Sequence, residues 1–502
     1  MISKLRSLAL MLSASVLTGC ALGPNYRPPE IPLSPRFLGQ QGVERREAQS
    51  KADLQAWWAA FDDPALTRFV SLAVKQNLDI AQAAARVAQS RAFLRQAGAA
   101  LLPSGDVSAH GAKVYQSLET PLGRVLAATP GFDRSGSSYE ANVGASWEID
   151  VFGGRRRGRE AARAEYAASE AGAVATRLAV AAQTADLYVT IRGLQARIAI
   201  ATQQVQTRRQ LLALVKLQYE KGIAAELQVN QAEGSLAQVE AQIPVLEAGL
   251  DSAMNALDVL VGVQPGSYRA ELSPAMPVPV APGLAETGTP GEMIRRRPDL
   301  IVAERRLAAA NARIGVAISE YFPKFSLGAL LGSATTISSG NLFTSGANQA
   351  LGVVGLRWRL FDFGRVDAQI AAARGQEAEA LAAYRLAVLR ATEDVENAFS
   401  ALVKREAQVG ILTQGESSFA RARANSDAAY RGGVVSLIEV LDADSNLLQV
   451  RDAKAQAQTE AARAAIASFR ALGGGWDAPH ARGIAPTATA HEQAHAHPQS
   501  TR

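Results

Sequence analysis

Two periodicities divide this chain. Tyr139, Ala141, Val143, Ala145, Trp147 and Ile149 alternate with Glu140, Asn142, Gly144, Ser146, Glu148 and Asp150. A period of two predicts a strand with one apolar face. Further on, Leu187, Ile191, Leu194, Ile198, Ala201, Val205, Arg208, Leu212, Val215 and Tyr219 recur at alternating steps of four and three. Arg208 is the only charged member of that row. Val229, Ala232, Leu236, Val239, Ile243, Leu246, Leu250, Ala253, Leu257 and Leu260 continue the stepping after a glycine-bearing turn. This predicts an antiparallel helical hairpin with a coiled-coil seam, bent or broken at Pro244.

The pattern is stated twice. Trp147 to Tyr219 spans 72 residues, as does Trp358 to Tyr430, and both stretches open on a Gly-Arg break and close on Tyr-x-x-Gly. No proline falls between Gly154 and Tyr219. About 66 helical residues would reach roughly 100 Å at ~1.5 Å per residue, far beyond an ordinary globular helix. The duplication extends upstream, since Asp79 to Pro103 and Asp299 to Pro323 are both 24 residues and Arg86 matches Arg306. Between them, Pro103 to Trp147 is 44 residues and Pro323 to Trp358 is 35, which places nine extra residues in a loop around Leu118 to Ser138.

Four strands are predicted. Phe325, Leu327, Ala329 and Leu331 form one apolar face, and Val354, Leu356, Trp358 and Leu360 another, while Asp106 to Val114 is the weakest pattern. Apolar-out, polar-in strands with terminal aromatics suit a membrane barrel, and Glu148, Arg357 and Arg359 suit a wet lumen. Soluble hairpins on a core are the alternative. Four strands cannot close a barrel, and open edges are prohibitively costly in lipid, so membrane strands require several chains in one barrel.

The remainder of the chain is read as follows. Lys4 and Arg6, apolar Leu8 to Leu17 and the small residues before Cys20 predict a signal segment over 1–19. Residues 20–64 form an arm rich in proline, ending in Trp57-Trp58 and Phe61-Asp62-Asp63-Pro64. Asp63 is expected to cap a helix with Pro64 in its first turn, with Leu66, Phe69, Val70 and Val74 on its apolar face. The first repeat occupies 65–262, a Pro/Gly-rich linker 263–297, the second repeat 298–472, and an Ala, Thr, Pro and His-rich tail, expected to be disordered, 473–502.

The 502 residues carry a formal charge of +5. Loss of Lys4 and Arg6 would leave 50 basic against 47 acidic side chains, so charge makes no case for nucleic acid. A phosphate loop, a catalytic cysteine and a convincing His-carboxylate set are all missing, so neither an enzyme nor a cofactor is expected. The only cysteine is Cys20, which excludes an internal disulfide. His491, His495 and His497 fall in the tail and are given no metal role. Arg295 to Arg297 reads as a solvated cluster before a helix, with Asp299 and Glu304 as available partners.

These residues resemble outer membrane efflux lipoproteins of the nodulation-factor-exporter type, relatives of the TolC-like channel-tunnels. The resemblance covers Cys20 to about Trp476. It is carried by Leu17-Thr18-Gly19-Cys20, Trp57-Trp58 with Phe61 to Pro64, Arg296 to Leu300, Phe322-Pro323, both Trp-to-Gly-Arg boundaries and both Tyr-x-x-Gly turns. The resemblance implies an α+β membrane protein: a homotrimer with a shared 12-stranded outer membrane β-barrel and a long helical periplasmic tunnel. It implies acylation of Cys20, with Ala21 fitting outer membrane sorting, and an inner membrane pump and periplasmic adaptor as partners. The turns Tyr219, Gly222, Tyr430 and Gly433 would meet the adaptor. Ile438, Glu439 and Asp442 would form a periplasmic gate, to which Gln228 and Gln231 of the first repeat would add no charge. Export of small molecules such as drugs, toxic compounds or metal ions is the leading expectation. A duct for protein secretion and a structural periplasmic coiled-coil lipoprotein stay open beside it.

Overall fold

The computed structural model describes residues 21–46, 51–284 and 288–476. The signal segment, Cys20 and the histidines His491, His495 and His497 lie outside them. The described residues divide into two compact units, one drawn from residues 21–32, 82–173 and 299–388, the other from 33–46, 51–81, 174–284, 288–298 and 389–476.

The first unit holds one antiparallel four-stranded sheet, β1 (Ser104–Tyr115), β2 (Ser135–Ile149), β3 (Lys324–Thr335) and β4 (Asn348–Arg357), paired in that order. The weakest predicted strand, β1, forms over its full 12 residues. The junction between the two repeats is the β2–β3 ladder, with Trp147 opposite Leu327 and Glu148 opposite Ser326. The extra segment of the first hairpin is not all loop: Pro121–Ala127 is helical. Thr120 caps that helix by accepting from the Gly123 N–H, and Pro121 supplies a preset φ in its first turn.

An N-terminal strap is fixed within this unit. Arg157, buried in the long helix that begins at Gly154, donates from Nε to the Leu22 carbonyl at 3.0 Å. Its Nη2 reaches the Gly23 carbonyl at 3.1 Å and Asn25 Oδ1 at 2.8 Å. Gly23 has φ +92°, and a Cβ there would sit 2.5 Å from the Gly315 backbone, so both conformation and space demand glycine.

The second unit is helical. Helix α1 (Pro64–Gln76) starts as expected, with Asp63 accepting from the Ala65 and Leu66 N–H groups at 2.9 and 3.0 Å. Its buried face is Leu66, Phe69, Val70 and Ala73, and Val74 is only half-buried. The apolar row thus follows the 3–4 spacing through Ala73 more closely than through the β-branched neighbour. Of the arm tryptophans, Trp57 is a core residue that stacks on Phe469 with centroids 5.3 Å apart and planes 6° apart, and Trp58 is half-buried.

Helices α2 (Gly154–Glu220) and α3 (Arg365–Arg431) are each 67 residues long. Gly193 lies inside α2. A Cβ there would meet the Thr459 hydroxyl at 2.2 Å, so the glycine permits close helix approach. Of the predicted seam, Ile191, Ala201, Val205, Arg208 and Val215 are buried, whereas Tyr219 is exposed. The return path splits into α4 (Glu226–Glu240) and α5 (Gln242–Val261). Pro244 explains the break, because it cannot donate to the carbonyl of Glu240 four residues back and its ring crowds that carbonyl. In the second repeat the equivalent α6 (Leu437–Ala471) contains no proline and runs unbroken for 35 residues.

The expectation of a solvated arginine cluster fails at Arg297. Its side chain is buried, donates to the Ala391 and Ala471 carbonyls at 3.3 and 3.2 Å, and pairs with Asp394 at 3.1 Å. The Ala391 carbonyl lies in the middle of a long helix and the Ala471 carbonyl at the end of another, both distant from Arg297 in sequence. The linker is also more ordered than its composition suggests. Buried Arg192 donates to the Leu272 and Pro274 carbonyls at 3.3 and 2.9 Å.

Candidate channel mouth and its relatives

Both helical turns share one geometry. Gly222 and Gly433 have φ of +72° and +75°. Their N–H groups donate to the Tyr219 and Tyr430 carbonyls at 2.9 and 3.0 Å. Ile223 and Val434 donate to the Gln218 and Ala429 carbonyls, at 2.8 Å in each turn. These paired bonds satisfy helix-end carbonyls and require a left-handed residue, which glycine takes without strain.

The two tyrosines nevertheless differ. Tyr430 is buried against Leu211, Val215, Leu437 and Val440, and its hydroxyl donates to Gln218 Oε1 at 2.5 Å. Tyr219 is 47% exposed. Tyr430 therefore locks one turn to the other helix pair, and Tyr219 presents a free aromatic surface.

Ile438, Glu439 and Asp442 all lie exposed on the first turns of α6. The Ser436 hydroxyl holds the Glu439 carboxyl below its ordinary pKa. Asn446 donates to Asp442 at 3.1 Å. The spacing places these carboxylates on one accessible face, as the helical period requires.

Asp444 behaves differently. Its side chain is 3% exposed and faces Arg208 at 3.4 Å and Arg423 at 3.6 Å. Gln204 also donates to its carboxylate. Burial raises the Asp444 pKa, against the pull of Arg208, Arg423 and Arg451. This cluster joins α2, α3 and α6. The sequence carries a signal for it in the lone charge of the Arg208 seam, whereas Glu439 and Asp442 come from the family resemblance.

No helix among the described residues is long and apolar enough to cross a membrane. No group of three or more His, Cys, Asp or Glu side chains among them could hold a metal ion.

The profile of the outer membrane efflux protein family matches residues 69–263 and again 289–474. The chain belongs to this family. The two matches coincide with the duplicated strand-and-helix units. The pyoverdine export outer membrane protein OpmQ of Pseudomonas putida is 31% identical over 477 residues, covering 94% of this chain and 98% of that protein. Nodulation protein T of Rhizobium leguminosarum bv. trifolii is 30% identical, covering 92% and 96%. Among solved structures, the outer-membrane channel OprN is 30% identical with a TM-score of 0.81, covering 91% of this chain and all of that one. The Campylobacter jejuni CmeC channel, at 23% identity and a TM-score of 0.83, shares the fold.

The efflux protein is therefore a nodulation-protein-T-type outer membrane factor with a TolC-like fold. Its activity is that of an outer membrane efflux channel, and its relatives are channel proteins rather than enzymes. Family membership displaces the structural coiled-coil lipoprotein as a reading of this chain.

Proposed function

We propose that three copies of this efflux protein share a 12-stranded barrel and a helical tunnel, and passively export small molecules delivered by an inner membrane pump through a periplasmic adaptor. The observation that carries this reading is the four-stranded sheet whose outer strands, β1 and β4, each have one unpaired edge. Such edges are untenable in hydrocarbon and are removed by closure with further copies.

In this reading Cys20 carries acyl chains that anchor the N-terminus in the outer membrane, as its lipobox suggests. The turns at Tyr219, Gly222 and Gly433 meet the adaptor, with Tyr430 acting from within by fixing the turn. Ile438, Glu439 and Asp442 repeat around the pore as an apolar constriction beside acidic rings. Energy and substrate choice reside in the pump. The named export roles of OpmQ and of Pseudomonas efflux relatives favour small molecules over secreted protein as cargo.

Native mass spectrometry of protein extracted gently from outer membranes tests the assembly. The expected mass is a trimer with three acylated N-termini. A bare trimer would remove the lipid anchor alone; a monomer surviving the same extraction would overturn the shared barrel.

A further inference from the structure

The internal repeat specifies how one copy meets the next. The first strand of each hairpin is related by a shift of 220 residues, so that Ser104–Tyr115 falls on Lys324–Thr335 at both ends. The second strand is related by 211, the Trp147-to-Trp358 offset. These two shifts convert one hairpin ladder into the other, since Ser104 opposite Ser146 becomes Lys324 opposite Arg357. They also carry the indole contacts across, Trp147 Nε1 to the Leu101 carbonyl at 2.9 Å and Trp358 Nε1 to the Tyr321 carbonyl at 3.0 Å. Register is therefore a preserved property of the repeat.

Only one repeat junction, β2–β3, is formed inside the chain. Applying the same shifts to it describes a β4–β1 junction with a second copy. We infer that β4 pairs with β1 of the adjacent copy in this inherited register, placing Leu356 opposite the partner's Ala109, Trp358 opposite the partner's Val107 and Arg359 opposite the partner's Asp106. The inference rests on the shared-barrel reading and adds its register.

Three features support it independently of the arithmetic. First, β2 continues to Ile149, three residues past its last pair with β1, because β3 holds those residues. Strand β4 stops at Arg357, and the equivalent residues 358–360 have no strand beside them. Those are the residues that the partner's β1 would pair. Second, the junction pair Glu148 opposite Ser326 becomes Arg359 opposite the partner's Asp106, an opposite-charge cross-strand pair that favours this register. Within its own chain Arg359 already holds Glu320 at 3.2 Å, so its fork would join two carboxylates.

Third, Phe152 packs on Phe322 with ring centroids 4.7 Å apart. The shifted pair is Phe363 with the partner's Leu102. In one chain Phe363 is fully exposed and Leu102 is 65% exposed, as is Trp358 at 54% and Val107 at 79%. An apolar edge and its complement are thus both left bare, and the inherited register covers each with the other.

Disulfide capture in outer membranes tests the register, since Cys20 is the only native cysteine. Directly opposed strand residues have Cα atoms within reach of a disulfide, while a two-residue slip moves them to ~7–8 Å, beyond it. Leu356→Cys with Ala109→Cys should give inter-chain disulfides, up to covalent trimers, at least ~5-fold more efficiently than Leu356→Cys with Val107→Cys or with Gly111→Cys. Ala145→Cys with Ala329→Cys, opposed within one chain, is the positive control. Preferential capture of either slipped pair would overturn the register and leave the shared barrel standing. No inter-chain capture while the control closes would overturn the β4–β1 junction. The native mass then separates the two failures, a trimer sinking only the junction and a monomer sinking the shared barrel as well.

Discussion

Asp444 meets Arg208 at 3.4 Å where both side chains are almost wholly shielded from solvent. Burial raises the carboxyl pKa above its unfolded value. Between those two values the folded chain holds a proton that the unfolded chain has released. Folding stability contributed by this group therefore falls as pH rises through that window, and the loss is complete above the folded pKa. Asp444→Asn should remove this slope. Urea midpoints measured between about pH 4 and pH 7 for both proteins provide the check, and identical pH profiles would contradict it.

The two turn tyrosines should respond unequally. Tyr430→Phe loses the hydrogen bond to Gln218 in a buried setting and should cost about 1 kcal/mol. Tyr219→Phe, at an exposed site, should leave thermal unfolding essentially unchanged. Equal melting shifts would show that the turns are energetically equivalent despite their different burial.

Gly433→Ala isolates a backbone effect. No atom lies within 4 Å of the added Cβ, and φ is +75°. The cost should be the left-handed penalty alone, about 1–2 kcal/mol. Hydrogen exchange at Val434, whose N–H closes the turn, should accelerate accordingly. Unaltered protection there would show that the turn tolerates a side chain.

For the acidic face of α6, Glu439→Ala with Asp442→Ala should raise single-channel conductance or weaken its sensitivity to cations in planar bilayers. The expectation follows from the loss of repeated charge around a narrow pore. Recordings unchanged in both respects would remove these residues from the gate.

Arg157 supports the strap that follows residue 20. Arg157→Ala deletes its bonds to Leu22, Gly23 and Asn25 together. Chymotrypsin cleavage after Tyr26 should become several-fold faster, while the turns at Gly222 and Gly433 keep their exchange protection. Equal cleavage rates would mean that Gly23 and its backbone neighbours hold the strap unaided.

Much of this architecture is legible because long elements repeat one signal many times. Ten seam positions on α2 and six alternating positions on β2 average out local exceptions, and the duplication supplies a second reading of each. Pro244 likewise announces its break through covalent chemistry. What escapes is long-range partnering of polar groups. Arg297 looks like one of three surface arginines until the Ala391 and Ala471 carbonyls arrive from distant helices. Asp444 looks like a neighbour of Glu439 and Asp442, yet two residues along a helix turn a side chain by about 200°, from the exposed face to the interior. Tyr219 and Tyr430 occupy identical motifs, and only the packing of Leu437 and Val440 separates them.

The preserved ladders have a practical corollary. Nine residues were gained between β1 and β2 relative to the second hairpin, yet neither strand slipped against its neighbour. The connection around Pro121–Ala127 is thus mechanically insulated from the sheet it joins. A foreign peptide or affinity label spliced there inherits the same insulation, which makes this stretch the natural port for engineering the protein.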